Sequence, residues 1–173
     1  MNNVLQLAEK IKLVIFDVDG VLTDGSLYLT DGGEEIKAFH SQDGLGMKLL
    51  MQTGVQIGII TARQSNLVAK RMASLGITHV YQGQSDKMRC YEDVCKKLGI
   101  DDNRIAYVGD DLFDLPLIRR VQLGIAVANA YPFVKKHADF VTQKQGGQGA
   151  AREVCDLIMQ AQGHLESTWN QYL

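Results

Sequence analysis

The chain has 173 residues, 46 % of them apolar, which suits one domain with its own hydrophobic core. Eighteen basic and 20 acidic side chains leave a formal net charge of −2, and no basic patch or tail points to nucleic acid. No run of about 18 apolar residues offers a membrane span, and MNNVLQLAEK is too short and polar for a secretory signal, so the cytoplasm is the expected compartment.

The predicted elements alternate along the chain. Residues 11–16, IKLVIF, read as a buried strand. Residues 24–40, DGSLYLTDGGEEIKAFH, break the pattern where a crossover helix is due. With Asp31-Gly32 as a turn signal they predict a projecting β-hairpin. Leu45, Leu49 and Leu50 mark a helix over 44–53, and 55–61, VQIGIIT, the next strand. A helix over 65–75 carries Leu67, Val68, Met72 and Leu75; Lys70 and Arg71 on it are expected to face solvent. Strand 79–82 is followed by a helix over 87–98 with Met88, Tyr91, Val94, Cys95 and Leu98 on one stripe. These three helices run into Gly54, Gly76 and Gly99, the residue that best accepts a left-handed C-terminal stop. Strands follow at 104–108, 123–128 and 139–141, then a Gly-rich stretch at 142–152 and a helix over 149–162. The tail 164–173 leaves Leu165, Trp169, Tyr172 and Leu173 without an obvious home.

Strand and helix in alternation predict an α/β fold: a single Rossmann-like three-layer domain over 1–173, with a central parallel sheet covered on both faces. Neither of the first two strands is followed by an insertion large enough for a cap domain. Cys90, Cys95 and Cys155 are odd in number and lack CxxC spacing, which argues against a disulfide framework or a zinc site.

In such sheets ligands bind at the carboxyl ends of the strands. The first strand ends in FDVDG, delivering Asp17 and Asp19. The fourth ends in VGDDLFD, delivering Asp110, Asp111 and Asp114. Carboxylates crowded together repel unless a divalent cation neutralises them, and Mg²⁺ takes oxygen ligands. The same repulsion is expected to keep Asp19 protonated part of the time, as an acid catalyst requires. Thr61 in IITAR offers a hydroxyl, with Ala62 and the following N–H groups behind it, and Arg63 offers a fork for phosphate or carboxylate. Lys87 opens a helix, where a cation opposes the helix dipole, so a compensating anion is expected beside it: Asp17, a phosphate or both. His40 returns from the hairpin toward the site. Asp43 and Ser41 share its loop, to touch substrate or to cap the helix that follows.

DVDGVLTDG, ITAR, Lys87 and GDDLFD resemble the four motifs of the haloacid dehalogenase superfamily, over roughly residues 8–163. The extended FDVDGVLTDG, the hairpin, HSQDG and QGQSDK resemble its capless subclass of sugar-phosphate phosphatases. The resemblance implies Asp17 as the nucleophile that forms an aspartyl-phosphate and Asp19 as acid and base. It implies Thr61 and Lys87 as phosphate binders, and Mg²⁺ held by Asp17, Asp110 and the Asp19 carbonyl, with Asp111 and Asp114 in support. Arg63, His40 and Asp43 are the candidates for the rest of the substrate. The implied substrate is an acidic sugar phosphate, 3-deoxy-D-manno-octulosonate 8-phosphate, hydrolysed in lipopolysaccharide precursor synthesis; a 3-deoxy-nonulosonate 9-phosphate is the alternative. A homotetramer is implied, in which a neighbouring subunit completes each open site. Two readings of other classes are weaker. A signalling receiver lacks the late GDDxxD, and a decayed scaffold would not retain Asp17, Asp19, Lys87 and Asp110.

Overall fold

The computed structural model describes residues 2–173. In chain order the elements are α1 (Asn2–Ala8), β1 (Leu13–Phe16), β2 (Tyr28–Leu29), β3 (Glu35–Ile36), α2 (Ser41–Gln52), β4 (Gln56–Ile60), α3 (Asn66–Leu75), β5 (His79–Tyr81) and α4 (Lys87–Leu98). They continue with β6 (Ile105–Gly109), α5 (Leu115–Ile118), β7 (Leu123–Ala126), α6 (Pro132–Lys135), β8 (Phe140–Val141), α7 (Ala150–Ala161) and α8 (Leu165–Trp169). Sequence reasoning placed the six sheet strands and four of the helices. It missed α1, which has no charged residue to signal its ends, the single-turn helices α5 and α6, and α8, which lies in what read as a tail.

Six parallel strands form one sheet in the order β5-β4-β1-β6-β7-β8. β1, LVIF, is buried at all four positions, as expected of a parallel strand covered on both faces. It is flanked by β4 and β6, with Leu13 beside Gln56 on one side and Ile105 on the other. The chain runs outward from β1 through β4 to β5, then returns to lay β6 against the far side of β1. That reversal puts the switch point between β1 and β6, where open parallel sheets hold their ligand crevice. Helices α1, α2 and α7 pack together, with α3 against α2, while α4 and α5 pack against each other.

The hairpin forms, as β2 and β3, with two antiparallel pairs, Tyr28 with Ile36 and Leu29 with Glu35. Its loop is longer than the Asp31-Gly32 signal suggests: Thr30 and Glu34 close it, and Gly33 takes the left-handed conformation. Leu27, Tyr28, Leu29 and Ile36 are exposed, whereas Phe39 packs against the core. The tail is less homeless than the sequence implies. Leu165 packs on the core and Thr168 is buried, while Trp169, Tyr172 and Leu173 remain exposed.

One site assignment and one expected exposure are corrected here. Asp43 is 2 % exposed and its carboxylate accepts the N–H groups of Gly149 (3.3 Å) and Arg152 (2.8 Å). It caps the N-terminus of α7, 106 residues or more away in the chain, rather than its own helix or a substrate. Arg71 does not face solvent. It is half-buried, and a Cβ on Gly44 would meet its Nη2 at 2.4 Å, so its guanidinium lies across the start of α2.

Removing the Asp43 carboxylate strands buried N–H donors at the start of α7. Asp43→Ala should therefore lower unfolding stability by about 1–3 kcal/mol in urea titrations. A midpoint unchanged from the parent would contradict the capping role.

Candidate active site

Apolar strands deliver acids to one point. The Asp17 N–H donates to the Val108 carbonyl at 3.0 Å, extending the β1–β6 ladder by one residue before the chain turns. The turn is left-handed at Gly20, with φ of +89°, and a Cβ there would meet Asp110 Oδ2 at 2.1 Å. The absent side chain is what lets the Asp110 carboxylate lie against the loop after β1. Gly146 repeats the device one layer out: its Cβ would lie 1.7 Å from the Gly20 carbonyl oxygen. The Gly147 N–H donates to the Val21 carbonyl at 2.9 Å. The Gly-rich stretch is thus the backing of the loop that carries Asp17 and Asp19.

Lys87, the first residue of α4, sits between two of the acids. Its Nζ is 2.8 Å from Asp17 Oδ2 and 2.6 Å from Asp114 Oδ1. Asp114 is saturated: Oδ1 also accepts the Tyr107 hydroxyl (2.6 Å), and Oδ2 accepts the N–H groups of Asp110 (2.9 Å) and Asp111 (3.2 Å). Asp17 is not. Its Oδ1 is buried and has no hydrogen-bond partner among the described residues. Carboxylate oxygens of Asp17, Asp110 and Asp114 lie within 4.8 Å of one another. Three carboxylates facing one ammonium leave two negative charges uncompensated.

The electrostatics follow. Burial, and then the neighbouring Asp114 charge, pushes Asp17 up to about 6 although Lys87 pulls it down. Burial and the charges of Asp114, Asp17 and Asp111 push Asp110 up to about 7. Burial alone would lower Lys87, but Asp114 and Asp17 outweigh it and hold the ammonium above its ordinary value. The crowding therefore falls on Asp17 and Asp110. Asp19 turns away, its Oδ1 against Lys37 Nζ and its Oδ2 4.0 Å from Arg63 Nε.

The other candidates spread around this centre. Thr61 is buried at the end of β4, its N–H donating to the Tyr81 carbonyl at 3.0 Å. Ala62 and Arg63 follow on the exposed loop, and Arg63 Nη2 is 3.0 Å from Glu35 Oε1 of the hairpin. Asp111 is exposed and accepts the Leu112 N–H at 2.7 Å. His40 precedes α2, and its Nδ1 is buried without a partner among the described residues. Sequence reasoning missed Tyr107 and Lys37. The first could have been sought as a hydroxyl two residues before Gly109 in a strand that ends in acids. The second shares the inward face of EEIKAF with Glu35, at period two.

The arrangement can perform nucleophilic displacement: one free carboxylate oxygen, a lysine drawing charge from its twin, and a second acid within reach of a leaving group. The site is open. A hollow of about 580 Å³, lined by Cys95 and Asp101 to Asn103, lies at the opposite, amino-terminal edge of the sheet.

Known proteins agree with the geometry. A profile of the haloacid dehalogenase-like hydrolases matches residues 73–154. The 3-deoxy-D-manno-octulosonate 8-phosphate phosphatase KdsC of Escherichia coli K12 is 48 % identical over 169 residues, covering 98 % of this chain and 90 % of its own length. Among solved structures, a probable YrbI-family phosphatase from Pseudomonas syringae is 49 % identical, with a TM-score of 0.98 over 99 % of this chain and 98 % of that one. The Moraxella catarrhalis 3-deoxy-D-manno-octulosonate 8-phosphate phosphatase, solved with magnesium, phosphate and a KDO molecule, is 44 % identical, with a TM-score of 0.98 over 100 % and 99 %. With an unbroken four-motif site on a capless parallel sheet, and near-half identity along almost its whole length, this chain belongs to the haloacid dehalogenase-like hydrolases.

Proposed function

We propose that the protein is a Mg²⁺-dependent phosphatase that hydrolyses 3-deoxy-D-manno-octulosonate 8-phosphate to the free sugar acid and phosphate. The observation that carries the chemistry is Asp17, one oxygen held by Lys87 and the other buried and free. The substrate rests on the 48 % identity to an enzyme of that name, which does not favour the nine-carbon alternative. The role in lipopolysaccharide precursor synthesis follows from the same substrate. No helix among the described residues is long and apolar enough to cross a membrane, in keeping with a cytoplasmic enzyme.

The free Asp17 Oδ1 attacks phosphorus as the bond to the sugar oxygen breaks, and Asp19 gives that oxygen a proton. A water then attacks the aspartyl-phosphate, Asp19 takes its proton, and Asp17 is released. Lys87 withdraws charge from the other Asp17 oxygen throughout, and Asp114 and Tyr107 fix Lys87 in place. In this reading the Thr61 hydroxyl donates to a phosphoryl oxygen.

The residues present fit Mg²⁺: carboxylate oxygens of Asp17 and Asp110 in one cluster, with two uncompensated negative charges, mark its place. Asp17, Asp110 and the Asp19 carbonyl would hold it; Asp114 would not, because both its oxygens are occupied. When bound, the ion neutralises charge on the phosphoryl group. The open site and the exposed Leu27, Tyr28, Leu29 and Ile36 support a homotetramer in which hairpins meet, because a two-stranded hairpin is marginal in water and its apolar groups need a partner. Trp169, Tyr172 and Leu173 of the tail are placed, in this reading, on a neighbouring subunit, where they help to close its site.

Phosphate release from a panel of sugar phosphates with Mg²⁺ tests the assignment. The eight-carbon acid should be the best substrate, and Asp17→Asn should lose at least about 10³-fold. A better nine-carbon substrate, or an Asp17→Asn variant retaining a tenth of the activity, would overturn it. Light scattering should give a tetramer; a monomer at micromolar concentration would refute the shared site.

The raised acids set the pH response. In the metal-free protein they favour the protonated fold, so their stabilising contribution is complete below the ordinary carboxylate value of 3.8 and is lost as pH rises through about 6 for Asp17 and about 7 for Asp110. The metal-free melting temperature should fall between about pH 5 and pH 8, and saturating Mg²⁺ should offset the fall. Mg²⁺ affinity by titration calorimetry should weaken more than about tenfold from pH 8 to pH 6, as protons compete for the same oxygens. An affinity independent of pH would contradict the ligand set.

A further inference from the structure

The hairpin turns its apolar side chains outward and one cation inward. The Lys37 side chain is 2 % exposed, its ammonium against Asp19 Oδ1 and 3.1 Å from Glu35 Oε1. From the loop after β4, Arg63 Nη2 reaches the same Glu35 oxygen at 3.0 Å, and Arg63 Nε lies 4.0 Å from Asp19 Oδ2. Asp19, Lys37, Glu35 and Arg63 therefore close a ring of alternating charge that joins three separate segments of chain. Burial would raise the Glu35 carboxyl, but Lys37 and then Arg63 outweigh it and hold it below its ordinary value.

A buried ammonium is tolerated only where carboxylates surround it. Lys37 has two, and one of them belongs to the loop that carries the nucleophile. The hairpin's own ladder has only two residue pairs, so this ion pair is a main tie between hairpin and catalytic loop. The tie also divides the labour of the Asp19 oxygens. Oδ1 is engaged by Lys37, while Oδ2 faces, among the described residues, the longer, half-exposed contact with Arg63.

We propose that Lys37 is a positioning residue for proton transfer: by engaging Oδ1 it fixes the Asp19 carboxyl so that Oδ2 meets the leaving-group oxygen, which makes the placement of the hairpin a condition for catalysis. The proposal rests on the acid and base role given to Asp19 above. In the first step the sugar–phosphorus bond breaks, the Asp17–phosphorus bond forms, and the proton on Asp19 Oδ2 passes to the sugar oxygen. Lys37 gives up no proton; it holds the group that does. A displacement of about 1 Å in such a group costs on the order of 10²-fold in rate.

The experiment compares Lys37→Met and Lys37→Arg in the full-length protein with Mg²⁺. Rapid-quench phosphorylation of Asp17 is measured with the eight-carbon sugar phosphate and with p-nitrophenyl phosphate, whose leaving group needs little proton help. Lys37→Met should slow phosphorylation by the sugar phosphate about 10- to 100-fold and by the nitrophenyl ester less than about threefold, with KM nearly unchanged. Lys37→Arg should recover most of the loss. Added to Asp19→Asn, Lys37→Met should cost nothing further, since it acts through that residue. Equal losses with both esters, or additive losses in the double variant, would overturn the proposal, because a merely structural hairpin contact predicts both. The parent protein judges the underlying reading separately. If it turns over both esters, the leaving-group ratio alone decides on Lys37; if it turns over neither, the phosphatase reading fails and the proposal falls with it.

Discussion

Lys87 stands between Asp17 and Asp114 with a side chain 5 % exposed, and none of the three could remain charged and buried alone. Removing one partner from such a set typically costs about 3–5 kcal/mol, because the remaining charge is left without solvent or counter-ion. The arrangement therefore holds three elements in fixed relation: the end of β1, the start of α4, and the turn between β6 and α5. The position of α4 follows from it. A lysine at a helix N-terminus is disfavoured by the dipole, and two carboxylates reverse the sign of that local field. Tyr107 completes the set from within the fully buried face of β6, and its hydroxyl proton is held well above its ordinary range by burial and by Asp114.

Saturation at one acid leaves another available. Asp114 spends both oxygens on four hydrogen bonds, so it serves as a rigid anion and not as a reactant. Asp17 spends one oxygen and keeps one. Asp110 spends neither on a side chain, and the missing Cβ of Gly20 leaves its carboxylate room beside the first loop. The differing duties of three chemically identical groups come from their hydrogen bonds, not from their residue type. The same division recurs at Asp19, which looks outward to Lys37 and Arg63 rather than inward to the other acids.

Much of this was legible in the sequence where the signal is local. Period and composition located the sheet strands, since LVIF and QIGII are too short for helices and rich in β-branched residues. Acids directly after apolar strands located the site, and the dipole argument correctly required an anion at Lys87. What stayed hidden was long-range. Nothing near Asp43 announces that it caps α7, because the N–H groups it serves lie more than 100 residues away. Gly146 reads as loop punctuation until the chain brings it onto the Gly20 carbonyl. The expected repulsion acts at Asp17 and Asp110, whose carboxyls are raised. Spacing put Asp19 beside Asp17, yet backbone direction after β1 turns the two carboxylates to different neighbours.

The site also departs from what stability alone would select. A well-folded core leaves no buried polar atom unpaired, and here an unpaired oxygen coincides with the proposed nucleophile. Two carboxyls carry pKa values raised to about 6 and about 7, which means the fold at neutral pH bears charges it would rather not hold. These costs are local, and the apolar packing of the buried positions of β1, β4, β6 and β7 offsets them. The same imbalance is what makes the centre selective. Two uncompensated negative charges suit a small divalent cation, and that cation in turn admits a dianionic phosphate which the bare cluster would repel. Cation and substrate are thus recognised by one electrostatic deficit, and an enzyme built this way needs little surrounding wall to hold its ligand by the phosphate. Selectivity for the rest of the substrate has to come from outside the sheet. In this chain the groups nearest to that task lie on the hairpin and the loop after β4, tied to the acid Asp19 by the ring of Lys37, Glu35 and Arg63.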